Sequence, residues 1–153
     1  MSDWWGAYVG IPYGRGPGEL ECWGLVARVL AEQCGLDLPA YGETSAAYLG
    51  ALAAWRAGEG SSETMAAARA RMEAEIDAGR AAECWRVVEA PRAFDVAVMC
   101  RPSRGALARP GHCGVMIDGA RVLHTLPATG AAVAPIGHPA VPRLIEYRRH
   151  VSL

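Results

Sequence analysis

From Cys22 onward, apolar residues recur at helical spacing. Cys22, Leu25, Val26, Val29 and Leu30 fall on one face of a helix. Gly35 is placed to stop it and Pro39 keeps it from resuming. Thr44–Ala57 and Ser62–Gly79 read as two further helices rich in Ala, Arg and Glu, with Thr44 and Ser62 as N-caps and Glu59 to Ser62, with Gly58 and Gly60, as the break. Arg69/Glu73 and Arg71/Glu75, four apart, add weak surface support. After Pro91 the period shortens. Asp95–Cys100, Cys113–Ile117 and Arg121–Thr125 read as strands, and Ala131–Ala134 and Leu144–Arg149 as one more each, with 101–111 a Pro/Gly/Arg loop. Asp118-Gly119 signals a two-residue hairpin turn, which sets His112 across from Thr125 and His124 near Cys113. A slip of one residue would still leave both histidines at the same end of the hairpin. Ahead of all this, a short helix is predicted over 3–9, followed by a loop through Gly10, Pro12, Gly14, Gly16 and Gly18. Helices first and antiparallel strands afterwards predict an α+β fold, with N-terminal helices packed on an antiparallel sheet.

The 153 residues suit a single domain over 1–153, without internal repeat or linker. A hydrophobic fraction of 52% with 20% charged residues describes a globular chain. The net charge of −1 offers no bulk attraction to nucleic acid or anionic lipid. Every basic residue is arginine, which with the abundant Ala and Gly reads as GC-rich coding rather than a binding surface. No apolar run is long enough to insert in a membrane. Met1 to Trp5 lacks the basic start and apolar stretch of a Sec-type leader, so the expectation is a chain made in the cytoplasm that reaches any outside target by another route.

Candidate chemistry narrows to a thiol. The cysteines at 22, 34, 84, 100 and 113 are odd in number and irregularly spaced, which argues against a disulfide framework. Cys22 differs from the rest because it opens a helix directly after a glycine-rich loop. There the positive end of the helix dipole and the first-turn N–H groups favour thiolate and can hold an oxyanion. The same position also serves as the first core residue of the helix, and periodicity alone leaves both readings open. His112 begins a strand beside Gly111, and His124 closes the next, so a base with a second polar group to orient it converges near one hairpin end. His138 and His150 lie in Pro-flanked or terminal Arg-rich segments and are expected to be solvated. A zinc site from His112, Cys113 and His124 ranks below the thiol, because neighbouring strand residues point to opposite faces.

The ordered motifs Tyr8-Val9-Gly10-Ile11-Pro12-Tyr13, Glu21-Cys22-Trp23-Gly24-Leu25-Val26, Asp95-Val96-Ala97-Val98-Met99, Gly111-His112-Cys113-Gly114-Val115-Met116 and Arg121-Val122-Leu123-His124 resemble the NlpC/p60 cysteine peptidases. The likeness is to variants associated with phage tails and phage-like gene-transfer particles, with 42–90 as the family's variable helical part. The resemblance implies a papain-like α+β core, Cys22 as nucleophile, His112 as base and His124 as the group that orients it. Tyr13 matches a tyrosine lining the family's substrate site. Glu21 and Trp23 flank the nucleophile where the family usually has Asp and Ser, and Phe94-Asp95 replaces its usual Gly-Asp. The implied reaction is hydrolysis of peptide stems of bacterial peptidoglycan, often after a γ-linked D-glutamyl residue. It would run through a thioester and need no cofactor or metal. The implied partners are phage-like tail or hub proteins, and the implied place of action is the periplasm. The alternatives are a non-catalytic tail adaptor or wall-binding module, and a thiol acyltransferase or amidase on the same fold.

Overall fold

A computed structural model describes residues 3–100 and 110–153. A 3-10 turn over Trp4–Ala7 is followed by α1 (Cys22–Cys34), α2 (Gly42–Arg56) and α3 (Ser62–Ala81). Then come β1 (Trp85–Val88), β2 (Val96–Cys100), β3 (Pro110–Met116), β4 (Arg121–Leu126), β5 (Gly130–Pro135) and β6 (Leu144–His150). The architecture is α+β, as the patterning predicts. The chain forms two compact units, one from residues 1–40 and 83–153 and the other Tyr41–Ala82. Among the described residues no helix is long and apolar enough to cross a membrane. The loop expected over 101–111 lies outside the described residues except for Pro110 and Gly111, which already belong to β3.

The larger unit holds a six-stranded antiparallel sheet in the order β1-β6-β2-β3-β4-β5. One face packs on α1. Leu25, Val26, Val29 and Leu30 are fully buried against Val96, Val98, Val115, Leu123 and Ala131, at roughly 1.5–3 kcal/mol for each large side chain. The other face carries Ala97, Met99, Met116, Val122 and Leu144, packed with Val141 and Ile136. The predicted stop of α1 is present: Gly35 takes the left-handed conformation at φ 68°, and the chain turns back on the carbonyls of Ala31 and Leu30. The sheet entry is locked by Asp95, fully buried, which receives both Nε and Nη2 of Arg149 at 2.7 Å and the Arg92 amide at 2.8 Å.

The β3–β4 register differs from the one the turn signal predicts. Gly114 pairs with His124 and Val115 with Leu123, one residue away from the expected alignment. The loop is Asp118-Gly119-Ala120, because the Asp118 carboxylate accepts the amides of Ala120 and Arg121, each at 2.8 Å. That side chain takes over hydrogen bonding a two-residue turn would satisfy with backbone alone. The helix starts also shift: α2 is capped at Tyr41 rather than Thr44, and α3 at Ser61, whose side chain accepts the Thr64 amide. Thr44 instead donates its hydroxyl to Glu75 within the smaller unit. β1 carries no apolar alternation by which to recognise it, since it is an edge strand with a half-exposed burial pattern.

Candidate active site

α1 brings Cys22 to its first helical position. Glu21 is the N-cap in extended conformation, and its carbonyl accepts the first helical bond, from Leu25, at 2.9 Å. The first-turn amides ahead of that bond belong to the positive end of the helix, and no acidic side chain sits in that turn. The loop leading in is fastened to β5, with Gly10 and Ala131 amides donating to the carbonyls of Ala131 and Ile11 at 2.8 Å. Leu20 then bonds back to Pro12 at 2.9 Å, closing the neck from which Glu21 and Cys22 emerge.

His112 and His124 meet. The corrected register puts them on the same face of the sheet, and His112 Nε2 lies 3.0 Å from His124 Nδ1 with both rings buried. Under the predicted register they would have pointed to opposite faces. Gly114, across from His124, makes the approach possible: a Cβ there would sit 2.6 Å from the Leu123 carbonyl oxygen and 2.9 Å from His124 Cβ. Burial, followed by repulsion from His112, holds His124 down at about 4. It is therefore neutral near pH 7, and its Nδ1 can accept a hydrogen bond from His112 Nε2–H.

The Cys22 thiol interacts with both Cys113 and His112. The hydrogen bond with Cys113 is the largest influence holding Cys22 well below the ordinary thiol value, burial opposes it, and His112 lowers it further by hydrogen bond and charge. Cys113 is driven well above the ordinary value by the same contact, by burial and by the charge of Glu21. Simple alternation predicts that His112 and Cys113 cannot share a neighbour, yet both reach this sulfur. The cause is visible in the ladder: Met99 pairs with His112 but Cys100 with Pro110, leaving Gly111 as an extra residue. A bulge of this kind increases the local twist and re-aims the adjoining side chain. Among the described residues no group of three or more His, Cys, Asp or Glu is arranged to hold a metal ion.

Neither family models nor curated proteins match this chain in sequence. Its structure is similar to the crystal structure of the NlpC/p60 domain of the peptidoglycan hydrolase SagA, with a TM-score of 0.51 and 16% identity, over 94% of this chain and 91% of that one. The fold is the NlpC/p60 fold.

On this NlpC/p60 framework the remaining predicted site residues take distinct places. Tyr13 is half-buried in the fastened loop. Glu21 is buried at the N-cap with 8% exposure, and its charge acts on Cys113. Trp23 donates its indole N–H to the Pro39 carbonyl at 2.6 Å and packs against the α1-side core, so its bulk is anchored in the framework. Phe94, where glycine was expected, adopts φ 72° and stacks on Trp4 with centroids 4.8 Å apart. His138 is exposed as expected, whereas His150 packs edge-on against Trp85 at 5.1 Å. Sequence reasoning named Cys113 only as a zinc candidate and did not single out Arg149. Cys113 belongs to the alternating row Cys113, Val115, Ile117 that faces the helix bearing Cys22, and that row was its signal. Arg149, the partner of Asp95, had none, because the two are distant in sequence.

Proposed function

We propose that this chain is a cysteine peptidase that cleaves peptide stems of bacterial peptidoglycan, with Cys22 as nucleophile, His112 as base and His124 as the orienting residue. The observation that carries the reading is the His112 Nε2–His124 Nδ1 hydrogen bond beside a thiol held toward thiolate at a helix N-terminus. His124, neutral and accepting at Nδ1, leaves the other nitrogen of His112 to face the sulfur. The Cys22 sulfur attacks the scissile carbonyl, the first-turn amides of α1 receive the developing oxyanion, and His112 delivers the proton to the leaving amine. Water, deprotonated by His112, then resolves the thioester. Tyr13, Glu21 and Trp23 are assigned to the substrate side of the thiol on the strength of the sequence motifs.

Digestion of purified peptidoglycan, with mass analysis of the fragments, tests this. Wild type releases stem-peptide fragments, while Cys22→Ala and His112→Ala, folded, release none. Undiminished cleavage by Cys22→Ala removes the thiol mechanism. No cleavage by folded wild type transfers the reading to a wall-binding or adaptor module. Acyl transfer in place of hydrolysis would show as products joined to an added amine. The narrower assignment, to the tail of a phage or gene-transfer particle acting in the periplasm, rests on the sequence motifs. It requires the protein to co-purify with such particles.

A further inference from the structure

Between the loop fastened to β5 and the head of α1, the chain makes a small lobe of its own. The Leu20 amide donates to the Pro12 carbonyl at 2.9 Å and the Gly14 amide to the Leu20 carbonyl at 3.3 Å, which closes its base. Its tip, Arg15 to Glu19, is exposed, and none of those residues joins either buried cluster. Glu19 closes the tip. The Gly16 amide donates to Glu19 Oε2 at 2.7 Å, and the Glu19 amide donates to the Gly16 carbonyl at 3.1 Å. The carboxylate lies in space that only glycine leaves open: a Cβ on Gly16 would stand 2.8 Å from Oε2, and one on Gly14 would stand 2.7 Å from Cδ. Gly14 also holds φ at 152°, a conformation that favours glycine.

We propose that Glu19 is a positioning residue: its carboxylate keeps the lobe from Pro12 to Leu20 in the shape that binds the peptide stem beside Cys22, so it governs substrate affinity and leaves the chemistry at the sulfur alone. This rests on the peptidase reading above. Location carries the role. Leu20 is two residues from Cys22, so the base of the lobe lies within roughly 7 Å of the nucleophile's backbone. That base is held on both sides, through Gly10 and Ile11 to β5 and through Glu21 at the N-cap of α1. A peptide whose scissile carbonyl sits at the Cys22 sulfur covers the same distance with about two residues.

An unclasped tip would have little else to order it. Gly14, Gly16 and Gly18 let such a segment sample many conformations, and a bound stem would have to freeze them again. Glu19 removes that freedom at folding, through a charge-assisted hydrogen bond to a backbone amide. Glutamine offers the same acceptor in neutral form, and alanine offers none. The framework does not depend on the clasp. Buried Tyr8 ties the start of the loop to α1 independently, its hydroxyl donating to Glu32 Oε2 at 2.6 Å and accepting Gln33 Nε2 at 3.2 Å. Loss of the Glu19 carboxylate therefore loosens the tip and leaves the entry of the loop anchored.

Wild type is compared with Glu19→Ala, Glu19→Gln and Gly16→Ala. Trypsin, with mass mapping of the Arg15–Gly16 bond, reads the lobe directly. Glu19→Ala and Gly16→Ala are expected to be nicked there about tenfold faster than wild type, and Glu19→Gln at close to the wild-type rate. The urea midpoint and the iodoacetamide rate of Cys22 are expected to stay at wild-type values. The substrate is muropeptides released from purified peptidoglycan by a muramidase. KM should rise about fivefold or more in Glu19→Ala and Gly16→Ala with kcat within about twofold, and glutamine should restore it. In a Cys22→Ala background, calorimetry with the same muropeptides should show the matching rise in Kd without cleavage. Unchanged nicking in Glu19→Ala, a lower kcat at constant KM, failure of glutamine to restore binding, or a fall in urea midpoint would each overturn the proposal. Muropeptides that bind in a Glu19-dependent way but are not cut by wild type defeat the peptidase reading alone. Cleavage with a KM indifferent to Glu19 defeats this one alone, and neither binding nor cleavage defeats both.

Discussion

A buried histidine that stays neutral leaves a signature in the pH dependence of stability, and His124 has the geometry to show it. It is 4% exposed and hydrogen-bonded to His112, and its folded value lies at about 4 against 6.5 for the ordinary side chain. The unfolded chain therefore binds a proton at this residue before the folded one does. The contribution is fully present above pH 6.5 and is lost as the pH falls through the window toward 4. At 1.36 kcal/mol per unit, about 2 kcal/mol disappears between pH 7 and 5, and about 3 kcal/mol by pH 4. For a chain of this length that is a fall in Tm of roughly 4–8 °C at pH 5. The assay is urea unfolding at pH 7, 6 and 5 for wild type and His124→Gln. It should be followed by tryptophan fluorescence in a Trp55→Phe background, so that Trp4, Trp5, Trp23 and Trp85 report on the unit containing the site. Glutamine keeps a polar side chain without a titration in this range, so it loses the acid sensitivity of this residue whatever its absolute stability. Parallel pH dependences for the two proteins would refute the reasoning, because they would mean that His124 takes up its proton equally in both states.

Gly114→Ala should separate the two histidines, since its Cβ would press on the Leu123 carbonyl and His124 Cβ; a loss of about 1–3 kcal/mol in urea unfolding together with loss of cleavage checks it. Asp95→Ala removes the carboxylate that receives two Arg149 nitrogens and the Arg92 amide, and should lower unfolding free energy by about 3 kcal/mol, whereas taking the Arg121 guanidinium out of its exposed pair with Asp118 costs under about 1 kcal/mol. Iodoacetamide should modify Cys22 ahead of the other cysteines near neutral pH, as peptide mapping will show. In Cys113→Val the alkylation midpoint of Cys22 should move upward, because the hydrogen bond that most lowers it is gone.

Much of the fold was legible because burial imposes a period. The α1 face is fully buried at Leu25, Val26, Val29 and Leu30, so its stripe is uninterrupted in sequence. The strands β2 to β6 were recognisable for the same reason, since they lie under a core on at least one side. β1 is an edge strand with little burial, so nothing in Trp85-Arg86-Val87-Val88 forced a pattern. Cys22, His112 and His124 stood out by position, and the structure brings them together. What sequence could not supply was register. The Asp118 side chain lengthens a loop by one residue, and a bulge at Gly111 turns His112. Each is a single-residue event, yet it decides which face a histidine occupies.

The helix bearing Cys22 packs on strands made much later. α1 ends at Cys34, whereas β3 begins at Pro110 and β4 at Arg121. During synthesis roughly 60 residues must follow α1 before its first sheet partner, β2, exists, which at ~5–20 residues per second is about 3–12 s. Throughout that time the stripe from Leu25 to Leu30 has no strand to cover it. The thiol at its head likewise has no histidine beside it. Pairing of β1 with β6 means that this edge of the sheet closes only once residues 144–150 have been made. Under the proposed mechanism, Cys22 gains its base only long after the helix that carries it has been made.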